Sequence, residues 1–282
     1  MNAITFKTIG IGVNFSPNLE ANINEAARLA LCLGSKLVLI HVGETSDEKS
    51  KTFLTFLKPF VNNGLEFEIL FKSGDPVDVI LSSTIEKNID LLIIGALKKE
   101  NFLKYYLGSI ARKITRKASC SVLLLINPSI ERVPCEHIVV NGLKDPKTKE
   151  TVNTAFFVGH KLGVGKITVV EEINQDEVSV KVDDDKSLRI STIIKERLRL
   201  REEARVKKIL NTIPSEYTKE ITIKSQLIFG KRGYSIGHYA QVARADLLVM
   251  NAPSKMTFWD RLFPHDIEHI LTELPTDVLI VQ

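Results

Sequence analysis

Two short apolar runs constrain the fold of this chain more than any other feature. Leu91 to Ile94 ends abruptly at Gly95, and Leu247 to Met250 ends in the same way at Asn251. Short apolar runs bounded by turn residues are typical of strands that are buried on both faces of a parallel sheet. Both runs stand among stretches with helical spacing, so we predict an α/β protein.

Strands and helices alternate through the first half of the chain. The apolar residues of Leu19–Leu33 fall at helical spacing, and Gly34 follows as a C-cap glycine does. Lys36–Val42 has the pattern of a buried strand, and Pro76 stands where the first turn of a later helix tolerates it. This alternation predicts a parallel sheet covered on both faces, with right-handed crossovers. Five such strands make one doubly wound domain of the flavodoxin-like or Rossmann-like type.

Landmarks of the first half recur in the second half at a constant spacing. Asp90–Gly95 matches Asp246–Asn251 at an offset of 156 positions. Two further pairs keep that offset, namely Gly108 with Pro264 and Val122 with Val278. Such self-similarity indicates repeated structural units. We therefore expect tandem five-stranded domains over residues 1–130 and 131–282, joined by a linker that contains two prolines.

The two domains are expected to be related by an approximate two-fold axis and to pack through their last strands, Val122–Ile126 and Val278–Val281. At their starts, Ile11–Asn14 matches Ile138–Asn141 at an offset of 127, which predicts an insertion of 29 residues in the second copy. We assign that insertion to a polar stretch and a long charged helix, at Glu171–Lys186 and from about Ser187 to Leu210. The helix is expected to be exposed and crossed by i,i+4 ion pairs, and a docking arm for an acidic partner is the alternative.

Composition excludes several classes of function. The 282 residues carry a net charge of +4 from 38 basic and 34 acidic side chains, which are spread along the chain. Nucleic-acid binding needs a basic stripe, and a membrane span needs roughly 18 consecutive apolar residues, so neither partner is expected. Cys32, Cys120 and Cys135 lack metal-ligand spacing and are expected to be reduced thiols. We expect a cytoplasmic globular protein, and homodimerisation stays open.

A candidate phosphate site follows the first apolar run. Gly95, Lys98, Gly108 and Ser109 form the pattern Gly-x2-Lys-x9-Gly-Ser. In a doubly wound sheet, ligands lie beyond the carboxyl ends of the strands, and a helix N-terminus there presents N–H groups to an anion. Glycine lets the backbone approach a phosphate or adopt positive φ, and the serine hydroxyl adds a hydrogen bond. The alternative is a tight turn at Gly95 and a plain helix start at Gly108.

These motifs make the chain similar to the universal stress proteins in their tandem, two-domain form. The resemblance rests on Asn14-Phe15-Ser16, Leu39-Ile40-His41-Val42, Gly74-Asp75-Pro76, Asp90–Gly95, Gly108-Ser109 and Cys120-Ser121-Val122-Leu123. Nucleotide-binding members of the family carry Gly-x2-Gly-x9-Gly-Ser/Thr in this loop and an aspartate at the end of the first strand. The resemblance implies a site for ATP, with magnesium, in the first domain. That site would be formed by Asn14, Val42, Gly95, Lys98, Gly108 and Ser109.

Some positions differ from the family's pattern. Asn14 replaces the aspartate and brings no charge, although its carboxamide can hydrogen-bond a ribose or an adenine. Lys98 replaces the second glycine, and its side chain either reaches a phosphate or fills the site. The second domain reads Asn251-x2-Ser254-x9-Pro264-His265, which retains none of the glycines. We expect it to bind no nucleotide in the usual manner, because proline removes an N–H donor.

Three features of the second half have weaker interpretations. His265-Asp266-Ile267-Glu268-His269 is similar to the motif of inverted zinc peptidases, but no third ligand is apparent, so an ordinary helix face is expected. The loop Gly230–Gly233 is a solvated turn or contacts a different small ligand. A group of apolar residues in the second domain is expected to pack onto its own domain. The alternatives are that it closes over the glycine-free site of that domain or faces another chain. This group is Phe258, Trp259, Leu262 and Phe263.

The predicted function is that of a cytoplasmic stress-response protein that binds ATP or a related nucleotide in its first domain without turnover. No nucleophile, base or carboxylate pair converges in the sequence, so we assign no catalytic residue and no metal ligand. Two alternatives remain. One is a ligand-free protein-interaction scaffold with vestigial nucleotide sites, and the other is a slow ATPase.

Overall fold

The computed structural model describes residues 5–98, 105–178, 181–230, 234–252 and 270–282. It divides into two compact units, of which the first comprises Met1–Pro134 with Leu271–Gln282 and the second Cys135–Ile270. Strands and helices alternate in both units, and neighbouring strands within each unit are mostly parallel. The predicted α/β fold class is therefore confirmed.

Unit 1 is built on a parallel sheet. Its elements are β1 (Thr8–Val13), α1 (Leu19–Leu33), β2 (Lys36–Val42), α2 (Asp47–Val61), β3 (Phe67–Lys72), α3 (Pro76–Glu86), β4 (Leu91–Gly95), β5 (Leu97–Lys98), β6 (Tyr105–Tyr106), α4 (Ser109–Lys117) and β7 (Ser121–Leu125). The sheet has the order β7, β4, β1, β2, β3, while β5 and β6 form a separate antiparallel ribbon. β4 and β7 are apolar runs buried on both faces, as expected for central parallel strands.

Unit 2 repeats this plan with a longer connection. Its elements are β8 (His137–Asn141), α5 (Thr148–Leu162), β9 (Lys166–Asn174), a short 3-10 helix (Gln175–Val178), α6 (Asp185–Leu210), a second 3-10 turn (Ser215–Tyr217), β10 (Thr222–Gly230), α7 (Tyr234–Val242) and β11 (Leu247–Asn251). The strands are parallel in the order β10, β9, β8, β11. The charged helix predicted from about Ser187 is α6, which starts two residues earlier, at Asp185.

The C-terminal strand, β12 (Asp277–Val281), belongs to unit 1. It pairs antiparallel with β7, with Leu279 opposite Leu123, so the expected pairing of the two last strands is confirmed. The Asp277 carboxylate also accepts a hydrogen bond from the Ile126 N–H at 2.8 Å. Unit 1 therefore contains six strands of the sheet order and unit 2 contains four. The domain limits 1–130 and 131–282 remain a prediction about the sequence repeat.

An aspartate fixes the start of the first strand in each unit. Asp90 Oδ2 accepts hydrogen bonds from the N–H groups of Lys7 and Thr8, and Asp246 Oδ2 accepts from those of Glu136 and His137. The strand pairs Ile9 with Leu91 and Ile138 with Leu247 agree with these bonds. These pairs make Ile138 the counterpart of Ile9, so the offset between the first strands of the two units is 129 positions.

The sequence match of Asn14 with Asn141 is therefore wrong by two residues. Leu143 is the counterpart of Asn14, and the insertion between the first and fourth strands is 27 residues. The error in the sequence match has a physical origin. Both alignments of β1 with β8 place apolar β-branched residues opposite one another, and only the contacts of the two aspartates distinguish the two alignments. The predicted polar stretch also began too early, since Glu171 lies inside β9.

Candidate functional site

The carboxyl ends of three neighbouring strands bring half of the predicted site together. β1 lies between β4 and β2, and all three run parallel, so Asn14, Val42 and Gly95 lie along one edge of the sheet. Asn14 is exposed, while Val42 and Gly95 are half-buried. This edge is where parallel α/β proteins bind ligands.

The floor of this edge contains a residue that the sequence analysis missed. A Cβ built on Gly95 would lie 3.2 Å from Oδ1 of Asn22, on the second turn of α1. That oxygen is buried and has no hydrogen-bond partner among the residues that the structure describes. A side chain at Gly95 would thus crowd the Asn22 carboxamide, and Gly95 is absent from the glycines that have positive φ in the described part of the chain. The arrangement leaves an acceptor that a ligand or a water can satisfy.

The start of α4 supplies backbone donors at the same edge. α4 precedes the parallel strand β7 and returns antiparallel to it, so its N-terminus lies at the carboxyl edge. Gly108 is the N-cap, with φ of −61°, and neither a side-chain cap nor an acidic side chain in the first turn is present. By contrast, Ser46 caps α2 and Asp75 caps α3 through their side chains. Within the described part of the chain, the first N–H groups of α4 therefore lack a side-chain acceptor, and exposed Ser109 stands beside them.

Lys98 lies in the ribbon that joins β4 to α4. Its backbone pairs with Tyr105, and Leu97 pairs with Tyr106. An extended backbone suits any residue, so this position does not require glycine. The loop expected between Gly95 and Gly108 is thus partly a two-stranded ribbon.

Aromatic rings surround the ends of β1, β2 and β3. Phe15 stacks on Phe53 at 5.4 Å and meets the ring of His41 edge-on at 5.5 Å, and Phe71 closes the cluster from the other side. Nδ1 of His41 donates to the Val13 carbonyl at 3.1 Å, and the imidazole is buried. Phe15 is 50% exposed and leaves an apolar ring beside Asn14. The prediction that His41 is a strand-end residue and not a base agrees with these contacts.

The equivalent edge of unit 2 is occupied by its own side chains. Asn251, the counterpart of Gly95, donates from Nδ2 to Thr148 Oγ1 at 3.3 Å. Arg205 of α6 donates to the carbonyl oxygens of Gly142 and Leu143, just beyond β8. The inserted helix therefore covers the backbone where Asn14 stands in unit 1.

Buried carboxylates accompany that arginine. Glu171 stands on β9 where β2 has His41, is 2% exposed and accepts from Ser225 Oγ at 3.1 Å. Burial raises the pKa of Glu171 to about 7, although the Ser225 hydrogen bond and nearby Arg205 oppose the shift. Glu202 is also buried and accepts from Arg205 Nε at 2.7 Å. This charged packing contrasts with the aromatic packing in unit 1.

Several predicted features lie outside the described residues. They are Lys231–Gly233 of the Gly230 loop, Ser254, the group Phe258, Trp259, Leu262 and Phe263, and Pro264–His269 with the zinc-like motif. Across the described ranges, no group of three or more His, Cys, Asp or Glu side chains could hold a metal ion. In the same ranges, no helix combines the length and the apolar character that crossing a membrane requires.

Comparison with known proteins agrees with this architecture. Residues 57–125 match the family model described as Universal stress protein family. Universal stress protein YxiE of Bacillus subtilis (strain 168) is 27% identical over 62 residues, which cover 22% of this chain and 42% of that protein. The chain thus spans less than half the length of this curated relative.

Two solved structures show the same fold. A universal stress protein from Archaeoglobus fulgidus DSM 4304 superposes with a TM-score of 0.67 at 17% identity, covering 98% of both chains. A protein of unknown function from Pseudomonas aeruginosa PAO1 gives a TM-score of 0.69 at 17% identity, covering 98% of this chain and 92% of its own.

The parallel sheet defines an α/β protein with the fold of these solved structures. Within it, the segment 57–125 is similar to the universal stress protein family.

Proposed function

We propose that this chain is a stress-response protein that binds ATP or a related nucleotide at the carboxyl edge of unit 1 and does not turn it over. The observation that carries the proposal is the buried Oδ1 of Asn22 beside Gly95, which no donor of the described residues satisfies. A buried acceptor without a donor costs about 1–3 kcal/mol, and a ligand hydroxyl or amine would remove that cost.

The surrounding groups suit the parts of a nucleotide. The uncapped N–H groups at Gly108 and Ser109 suit phosphate oxygens. Asn14 and Val42 stand where a ribose or a base would meet the ends of β1 and β2, and the exposed ring of Phe15 offers an apolar contact beside them. Asn14 is neutral and so adds no repulsion against phosphates, in contrast with the family's aspartate.

The lack of turnover is supported by what the nearest histidine does. Nδ1 of His41 is committed to the Val13 carbonyl, and its ring is packed among Phe15, Phe53 and Phe71. This packing leaves the imidazole poorly placed to activate water. Any bound magnesium would be held mainly by the nucleotide's phosphates, as is usual for this ion.

A ligand-free scaffold is the second candidate, and unit 2 favours it. There, Arg205 and Asn251 already use the groups at the corresponding edge. If unit 1 behaved in the same way, partner proteins and not nucleotides would be recognised.

Native mass spectrometry of the purified chain with ATP and magnesium tests the proposal. We expect a mass gain of one nucleotide, which Gly108→Trp abolishes because the indole covers the start of α4. Absence of any gain in the wild type contradicts nucleotide binding and supports the scaffold. Phosphate release by the wild type above that of Gly108→Trp would instead support a slow ATPase.

A further inference from the structure

One face of α6 is exposed along its whole length. Seven positions at alternating spacings of four and three residues are all exposed, and we call them the α6 seam: Lys186, Ile190, Ile193, Arg197, Leu200, Ala204 and Lys207. Alternation of three and four is the spacing of the a and d positions in a coiled coil. The residues that α6 buries, Ser191, Glu202 and Val206, lie on its other face.

Three positions of the α6 seam carry large aliphatic side chains. Ile190, Ile193 and Leu200 are 42%, 52% and 53% exposed. Fully burying one such side chain contributes about 1.5–3 kcal/mol. Three large aliphatic side chains aligned on one helix face therefore form a surface that gains stability when a partner covers it.

Charge on this face selects an acidic occupant. Lys186, Arg197 and Lys207 within the seam, and Arg189 and Lys208 beside it, form no ion pair in the described part of the chain. The three glutamates of the helix are already engaged within it. Glu196 and Glu203 bind Arg199, and Glu202 binds Arg201 and Arg205. These cations thus lie between and beside the apolar side chains of the seam without forming ion pairs in the described structure.

The geometry favours a helix over a membrane surface. Helices that lie in a membrane interface present a broad apolar sector, whereas the α6 seam is a narrow stripe with Arg197 at its middle. A second copy of this chain is also disfavoured, because it would set the same unpaired cations against one another. Glutamates flanking the seam of a partner helix would meet these cations instead.

We propose that the α6 seam docks an acidic amphipathic helix of a partner protein in a two-stranded coiled coil. The capping box formed by Asp184 and Ser187 fixes the first turn of α6, so the surface is already helical before binding. The contact does not depend on a nucleotide in unit 1, because none of its residues lies in that unit.

The test uses a fluorescent synthetic peptide of four heptads, with leucine at the a and d positions and glutamate at e and g. The glutamates prevent the peptide from pairing with itself. Fluorescence anisotropy should show binding to the full chain, and binding should weaken as salt is added. A peptide with lysine in place of the glutamates should not bind.

Ile193→Asp combined with Leu200→Asp should weaken binding at least about tenfold, since each aspartate removes an apolar anchor and adds a like charge. Ile85→Asp, at a 71% exposed position of α3, is the matched control and should bind as the wild type does. Circular dichroism confirms that each variant is folded.

Three results would overturn the proposal. They are failure of the wild type to bind the acidic peptide, equal weakening in the Ile85→Asp control, or no weakening in the double variant. Phosphatidylserine vesicles that capture the wild type, but not the double variant, would assign the seam to a membrane instead. Self-association in sedimentation velocity that the double variant abolishes would assign it to a second copy.

Discussion

The carboxamide of Asn22 lies directly against the backbone of Gly95, so that a Cβ on the glycine would stand 3.2 Å from Oδ1 and 3.3 Å from Nδ2. These residues lie far apart in the chain and meet because β4 lies next to β1. The contact places an unsatisfied acceptor at the edge that also receives Asn14 and the start of α4. It links the order of the strands to the chemistry of the site.

Replacing Asn22 by alanine should separate binding from stability. The nucleotide loses a hydrogen-bond partner, so affinity in calorimetric titration should fall about tenfold. In the free protein, the relief of the unsatisfied buried oxygen offsets the packing lost with the carboxamide, so the free energy of unfolding should change by less than about 1 kcal/mol. Asn24→Ala is the matched control, since Asn24 Oδ1 is also buried without a partner but two positions further along α1. Equal loss of affinity in both variants would remove Asn22 from the site.

A methyl group at Gly95 should also weaken binding. Gly95→Ala brings its Cβ against the Asn22 carboxamide and displaces it from the edge. We expect about a tenfold higher dissociation constant, measured by the same titration. Gly165→Ala serves as the control, because a Cβ there meets nothing within 4 Å and the backbone needs no positive φ. Unchanged affinity in Gly95→Ala would show that the ligand does not approach β4.

The two strand-anchoring aspartates should contribute similarly to stability. Asp90→Ala and Asp246→Ala each leave two backbone N–H groups without their carboxylate acceptor. Urea denaturation should show a loss of about 2 kcal/mol for each variant. Asp78→Ala, at an exposed position of α3, should cost much less. If either anchoring variant is as stable as that control, the shared role of the two residues is wrong.

The stability of the chain should depend on the protonation of Glu171. Its pKa is about 7 in the folded protein against an ordinary value of 4.5, so the folded state holds a proton that the unfolded state releases. The stability that the protonated Glu171 side chain provides is fully present below pH 4.5. It is lost as the pH rises through about 7.

Glu171→Gln should therefore gain stability relative to the wild type between pH 5 and pH 8. We expect roughly 2 kcal/mol, somewhat less than the full shift would give at about 1.4 kcal/mol per pKa unit. Thermal or urea unfolding at both pH values measures it. Glu150→Gln, at an exposed position of α5, should follow the wild type. A constant difference between Glu171→Gln and the wild type would contradict the shift.

Thiol reagents should distinguish the cysteines. Burial raises the pKa of the Cys120 thiol to about 11, whereas Cys32 is exposed. Because the thiolate is the reactive form, Cys32 should be labelled first at neutral pH, and Cys120 only on unfolding. Mass spectrometry of partially labelled protein and of Cys32→Ser checks the order. Early labelling of Cys120 would show that the end of α4 opens readily.

Much of the fold could be predicted from local signals. The bounds of α1 and β2 agree with the sequence prediction, because Gly34 takes the positive φ, 68°, that ends a helix. The register between the first strands of the two copies was wrong, because it depends on the contacts of Asp90 and Asp246 across the chain.

The site was less predictable than the fold. Glycine spacing indicated Gly95 and Gly108, but Asn22 and Asn24 look alike on the sequence of α1, and only packing distinguishes the residue that meets Gly95. Arg205 was indistinguishable from the other cations of α6 until its bonds to Gly142 and Leu143 were seen. The roles of both residues depend on long-range contacts. Local sequence patterns do not contain information about such contacts.

Titration calorimetry of the wild type with ATP and magnesium tests the central claim most directly. Binding of one nucleotide per chain is predicted, and Gly108→Trp should abolish it. Pro264→Trp, at the matching position of the second copy, should retain it. No binding heat in the wild type, or loss of binding in Pro264→Trp with Gly108→Trp unaffected, would contradict a nucleotide site in unit 1.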